Sequence, residues 1–239
     1  MEPTARAGTH AALVARGVDG IRPAWLRHTD GESRWGAATC VGLAITLQLV
    51  LPERYVVPPR FLLPAVEGVL LLTFVLVHRP RLTDRSPRRR AFSLFLLAVI
   101  AGALAVSLIR LVHDVLTGSG VRPVDLLLGG GELWLSIVLV FALIYWQYDR
   151  GGPAPRALGE QVQPDLLFPQ MTDEHLARDW EPTLLDYFYV AFTCSTAYSP
   201  TDTMPLSRWC KLLFTVQSSA SLATVTLVAA RAVNILPGR

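Results

Sequence analysis

AFSLFLLAVIAGALAVSLI, residues 91–109, decides the fold class. The stretch carries no charge and has no polar stripe. A soluble helix of that length keeps one face polar for water. An α-helix needs about 20 mainly apolar residues to cross the hydrocarbon core of a bilayer. With its continuation to Val115, this run meets that length. Four more apolar runs lie around it: Trp35–Pro52, Phe61–Val77, Val124–Tyr148 and Leu212–Leu236. The first two sit near the lower limit of about 17 residues. None shows the strict apolar/polar alternation of a membrane β-barrel. The expected fold is all-α: a polytopic integral membrane helix bundle with five spanning helices.

Composition agrees. The chain has 239 residues, 51% apolar and 17% charged, with a mean hydropathy of +0.38. Soluble domains carry about 25% charge. Disordered chains need low hydrophobicity and high charge, so that class is excluded. Three cysteines exclude a disulfide scaffold. The net charge is +3, and Lys211 is the only lysine beside 21 arginines. The densest group is Arg79, Arg81, Arg85, Arg88, Arg89 and Arg90, between two apolar runs. Basic residues so placed mark a cytoplasmic membrane loop. They do not form a nucleic-acid footprint, which needs a basic face on a folded domain. Counting Lys and Arg on each side puts the N-terminus in the cytosol of a bacterial-type inner membrane. The count is the same for five or six crossings, so it leaves the side of the C-terminus open.

Four regions follow. Residues 1–34 form a polar, Arg-rich tail, either a loose cytosolic segment or a weak amphipathic anchor. Residues 35–148 hold four membrane helices. Gly129, Gly130 and Gly131 are expected to loosen or shift the start of the fourth. Trp134, Tyr145, Trp146 and Tyr148 bracket it as interface aromatics do. Residues 149–181 form an acidic extramembrane loop, and 182–239 a re-entrant segment plus the last helix.

That re-entrant segment is the informative one. Residues 180–205 read WEPTLLDYFYVAFTCSTAYSPTDTMP. The apolar core is too short to span. Glu181, Pro182 and Thr183 look like a helix start. The expectation is a half-membrane helix over about Thr183 to Cys194, then a non-helical stretch to Pro205. Irregular backbone at membrane depth is tolerated only inside protein or beside water. Asp186, Thr196, Tyr198, Ser199, Thr201 and Asp202 would then line a polar path, with Gln217 on the last helix. A plain solvent-exposed loop is the competing reading. Glu67, in the middle of the second run, is either a hydrogen-bonded packing residue or a proton or cation site. Gln48 and Gln217 are its available polar partners. Arg110, His113 and Asp114 read as the end of a helix.

No chemistry-bearing set emerges. Cys40, Cys194 and Cys210 lack CxxC spacing, and the five His show no HExxH pattern. GxSxG, Walker and dinucleotide glycine patterns are absent. No catalytic, metal-binding or cofactor-binding residue is assigned, and no enzymatic activity is expected.

Two resemblances bear on residues 180–236. Leu185-Asp186-Tyr187-Phe188-Tyr189, the spacing from Asp202 to Pro205, and Arg208 to Arg231 resemble the pore-loop module of tetrameric cation channels. That module implies a half-helix, a filter and an inner helix. Where the filter glycines would stand, this chain has Thr196, Ala197, Tyr198, Ser199, Pro200 and Thr201. A row of inward-facing carbonyls needs those glycines, so potassium selectivity is not implied. Ile144-Tyr145-Trp146, Leu167-Phe168-Pro169, Asp186 to Phe192, Thr201-Asp202-Thr203 and Ser207-Arg208 are similar to a family of predicted bacterial membrane proteins of unknown function. That similarity covers roughly residues 36 to 236 and implies no activity.

Two functions stay open. One is a channel-like protein passing an ion or small solute, without a potassium filter. The other is a non-conducting membrane protein that works through partners or in envelope maintenance. The expected partners are the lipid bilayer, further copies of the chain in a homo-oligomer, and an ion; nucleic acid is not expected.

Overall fold

A computed structural model describes residues 23–77, 86–117, 123–160, 163–173, 175, 178–196 and 202–235. Among the described residues 77% are helix and 3% strand. The helices are α1 (Arg34–Val50), α2 (Leu62–Val77), α3 (Pro87–Thr117), α4 (Pro123–Tyr148), the short α5 (Pro153–Ala157), α6 (Leu184–Thr196) and α7 (Arg208–Ile235). Two short strands, β1 (Leu166–Leu167) and β2 (Met204–Pro205), pair antiparallel with Leu166 opposite Pro205. The helix starts follow their residues. Ser33 caps α1, its hydroxyl accepting from the Trp35 N–H at 3.4 Å. Proline opens α3, α4 and α5, where its missing N–H has no intrahelical partner to lose.

Among the described residues, three helices are long and apolar enough to cross a membrane: α3, α4 and α7. The apolar helices α1 and α2 are shorter, 17 and 16 residues. The bundle has two ends. At one, Arg110 on α3 donates to the Val56 carbonyl, and Asp114 pairs with Arg54 at 3.6 Å. Those contacts make 110–114 a helix ending. At the other, the indole of Trp146 on α4 donates to Glu32, and Glu32 accepts from the backbone N–H of Leu184 at 2.7 Å. So α1 and α3 run from the Glu32 end to the Tyr55 end, and α2 and α4 run back. α7 starts at the Glu32 end, where Trp209 meets Tyr148 at 5.8 Å between ring centroids, and runs outward.

The core sits on α4, which packs against α1, α3, α6 and α7. Ile137, Val138, Ala142 and Tyr145 are fully buried there. The α4 glycines correct one expectation. They neither loosen nor delay the helix, which is continuous from Pro123. A β-carbon on Gly129 would lie 2.9 Å from the Tyr55 ring, and one on Gly130 2.8 Å from Val228. The glycines let two neighbours approach closely, the usual role of small residues between membrane helices.

The tail also differs from a loose segment where it is described. Trp25 accepts from the Arg150 guanidinium through its carbonyl at 2.6 Å. The N–H of Thr29 donates to the Ala157 carbonyl at 2.8 Å, and Glu32 ties Trp146 to Leu184. Residues 23–33 therefore clasp the Glu32 end.

Candidate functional site

The candidate site is α6 and the seam that holds it. Thr183 and Asp186 start the helix. The Asp186 carboxylate accepts from the backbone N–H and the hydroxyl of Thr183, both at 2.8 Å. The carboxylate reaches back to the helix start as the acid of a capping box does, with Asp in the place of the usual Glu. One turn in, Tyr187 is fully buried, and its hydroxyl donates to Asp149 at 2.6 Å.

Thirteen residues carry α6 about 20 Å. Its last carbonyls have no partner within the helix, and side chains from the neighbours take their place. Gln217 Nε2 donates to the Ala191 carbonyl at 2.6 Å and to the Ser195 hydroxyl at 2.9 Å. Ser218 donates to the Cys194 carbonyl at 3.1 Å. The Ser195 carbonyl accepts from Ser221 at 2.7 Å and from the Trp134 indole at 3.2 Å. The Gln217 carbonyl oxygen accepts from the Tyr145 hydroxyl at 2.6 Å. Trp134 on α4 thus serves the end of α6.

The two ends of α6 meet opposite parts of the bundle: its first turn touches Asp149, just past the end of α4, and its last turn touches Trp134, well back along α4. The chain then comes back. β2 pairs with β1, the Leu206 N–H donates to the Asp165 carbonyl at 2.8 Å, and Trp209 donates to the Asp165 carboxylate at 3.0 Å.

Asp165 and Asp149 form the hub at that end. Asp149 accepts from the N–H groups of Asp165 and Leu166 at 3.0 and 3.2 Å. Asp165 in turn accepts from the Arg150 N–H at 3.0 Å. The buried Arg156 donates to the carbonyls of Trp146 and Asp149, and its guanidinium lies 5.0 Å from the Tyr187 ring centre. Asp149 and Arg150 are both fully buried. Arg150 is the only non-glycine with positive φ among the described residues. Reading the sequence passed over Asp149, Arg150, Arg156 and Asp165. The signal was Asp149-Arg150-Gly151-Gly152-Pro153, a charged double-glycine turn abutting an apolar run. Gly152 sits at φ 101°, where a side chain would be strained.

The expected site residues fall into three places. Asp186 and Asp202 line one cleft of about 600 Å³ with Phe168, Phe188, Tyr189 and Phe192. The Tyr189 hydroxyl lies 3.4 Å from the Asp202 carboxylate. Thr196 donates back to the Thr193 carbonyl at 3.0 Å within α6. Gln217 is on the opposite, sealed side, with no exposure. Glu67 is apart from both, fully buried between α1 and α2, where Gln48 donates to it at 2.9 Å. Of the two glutamines weighed as partners, Gln48 is the one that meets it. Tyr198, Ser199 and Thr201 lie outside the described residues.

Among the described residues no group of His, Cys, Asp and Glu is arranged to hold a metal, and the three cysteines are buried and unpaired. Compared with protein families, with curated proteins and with solved structures, the chain matches none.

Proposed function

We propose that this is a multi-pass inner-membrane protein in which α6 is a re-entrant half-membrane helix, and that copies assemble with the 183–205 segment lining a path for an ion or small solute. Five helices cross, α1 and α2 among them, and the N-terminus is cytosolic. The observation that carries the reading is the sealed inner end of α6. Backbone carbonyls away from water must find protein donors. Here Gln217, Ser218, Ser221 and Trp134 supply them toward the far end of a helix about 20 Å long. A solvent-exposed loop has no use for that set, because water would serve the same carbonyls. The opposite face of α6 keeps Leu185, Tyr189 and Phe192 exposed beside Asp202, so the uncovered side is the one that carries the acids.

Flux from liposomes holding the purified full chain tests this. Cation or small-solute flux is expected, and Asp202→Asn or Ser199→Ala should change its rate or selectivity. No flux from a verified oligomer removes the conducting reading.

The second reading is a non-conducting protein acting through partners. One observation favours it: Gln217 and Ser221 bond Ser195, and Ser218 bonds the Cys194 carbonyl, so among the described residues the polar groups of the α4–α6–α7 seam are engaged within the chain. Crosslinking in cells should then recover a stable heterologous partner.

A further inference from the structure

Away from the α6 cleft, α3, α4 and α7 leave an apolar groove of about 590 Å³. Leu97, Ala98, Ala101, Ile144, Tyr148 and Trp209 line it. Two alanines where α3 faces α7 leave the gap open. The groove lies toward the Glu32 end, where the Tyr148 and Trp209 rings meet and Asp165 fixes the Trp209 indole at 3.0 Å. Two cations stand at its mouth. Arg90 precedes the lining residue Leu94 by four positions and so falls on the same face of α3, one turn nearer that end. Arg208, in the first turn of α7, precedes the lining residue Leu212 by four positions and so falls beside the groove at the same end. Both are exposed, and among the described residues neither has an acid within ion-pair distance.

We infer that this groove binds an anionic phospholipid of the cytoplasmic leaflet, with an acyl chain along Ala98 and Ala101 and the phosphate held by Arg90 and Arg208. The inference rests on the membrane reading above, with the Glu32 end cytosolic. The groove wall is almost wholly apolar, so a polar solute gains nothing there, while the bilayer offers acyl chains parallel to the helices. Tyr and Trp settle at headgroup level, which puts the phosphate at the height of the two guanidiniums. Guanidinium matches phosphate oxygens in a bidentate fork. Arginines at the membrane surface favour anionic over zwitterionic lipid.

Native mass spectrometry of the full chain, given equal phosphatidylglycerol and phosphatidylcholine, reads the site. The wild type should retain phosphatidylglycerol preferentially. The double variant Arg90→Gln/Arg208→Gln should lose that preference about tenfold or more. Ala98→Leu fills the groove and leaves both arginines, so it should shed the bound lipid. Leu is a good helix former and Ala98 is exposed, so that variant should fold; its melting temperature checks this. Equal retention of the two lipids by the wild type, an undiminished preference in the double variant, or undiminished lipid in folded Ala98→Leu overturns the site. Alkaline carbonate washing of membranes separates the two levels. Protein that resists washing but shows no lipid preference overturns the lipid site alone. Protein that washes off overturns the membrane reading and the site with it.

Discussion

At the residue scale, Glu67 and Gly130 show how much depends on a neighbour. Glu67 is fully buried, and the Gln48 amide is its hydrogen-bond partner. No cation lies within ion-pair distance among the described residues. A buried carboxylate without a cation is costly, so a neutral isostere of the same shape fits the site as well. Glu67→Gln should lose no more than about 1 kcal/mol relative to the wild type in denaturation from micelles. A loss several times larger would mean that Glu67 serves a charged partner. If Glu67 carries protons or cations, the same variant should change liposome flux while leaving stability intact. Gly130 is the steric counterpart. Leucine there would drive into Val228, whose branched side chain has little room to turn. Gly130→Leu should cost about 1–3 kcal/mol, and adding Val228→Ala should recover part of the loss. Strict additivity of the two changes would show that the helices do not meet at these residues.

At the element scale, α6 is held from both ends, and the two ends should respond differently. Gln217→Leu strips donors from Ala191 and Ser195 and an acceptor from Tyr145. Hydrogen bonds between membrane helices average about 0.6 kcal/mol, so a loss of about 2 kcal/mol is expected. Asp186→Ala removes only the carboxylate that Thr183 donates to and should cost about 0.5–1 kcal/mol, while Asp186→Asn keeps an acceptor and most of that. A thermal melt of each variant in the same detergent ranks them. If Asp186→Ala proves the more damaging, the sealed inner end is not what anchors the helix. Much of α6 was legible beforehand. Glu181-Pro182-Thr183 marks its start, and the expected span, Thr183 to Cys194, differs from Leu184–Thr196 by a residue or two. What receives its last carbonyls was not legible. Gln217, Ser218 and Ser221 read only as part of a small, slightly polar stripe, and a stripe says nothing about which neighbour it faces.

At the scale of the whole molecule, direction of travel is the central result. α1 begins at the Glu32 end and α7 finishes past Gly130, where Val228 packs. On the proposed membrane reading, a reporter fused ahead of residue 1 and one fused after residue 239 should lie on opposite sides of the membrane, the first in the cytosol. Both on one side would require α6 to cross fully. Charge alone leaves this open, because five and six crossings place equal numbers of Lys and Arg, taken together, inside.

The sequence by itself determined the class and most of the helices. Hydropathy is a local sum over about 20 residues, so the runs at 61–77, 91–115 and 124–148 each fall within a helix or within a residue of one. The tertiary structure alone decided who meets whom: Gln48 rather than Gln217 beside Glu67, glycines as contact points rather than breaks, and Asp149 as the hub for Tyr187. The physical reason is that burial of apolar surface is non-directional and readable from composition. Hydrogen bonds and close approaches are short-range and directional, so they exist only once the helices have been set against one another.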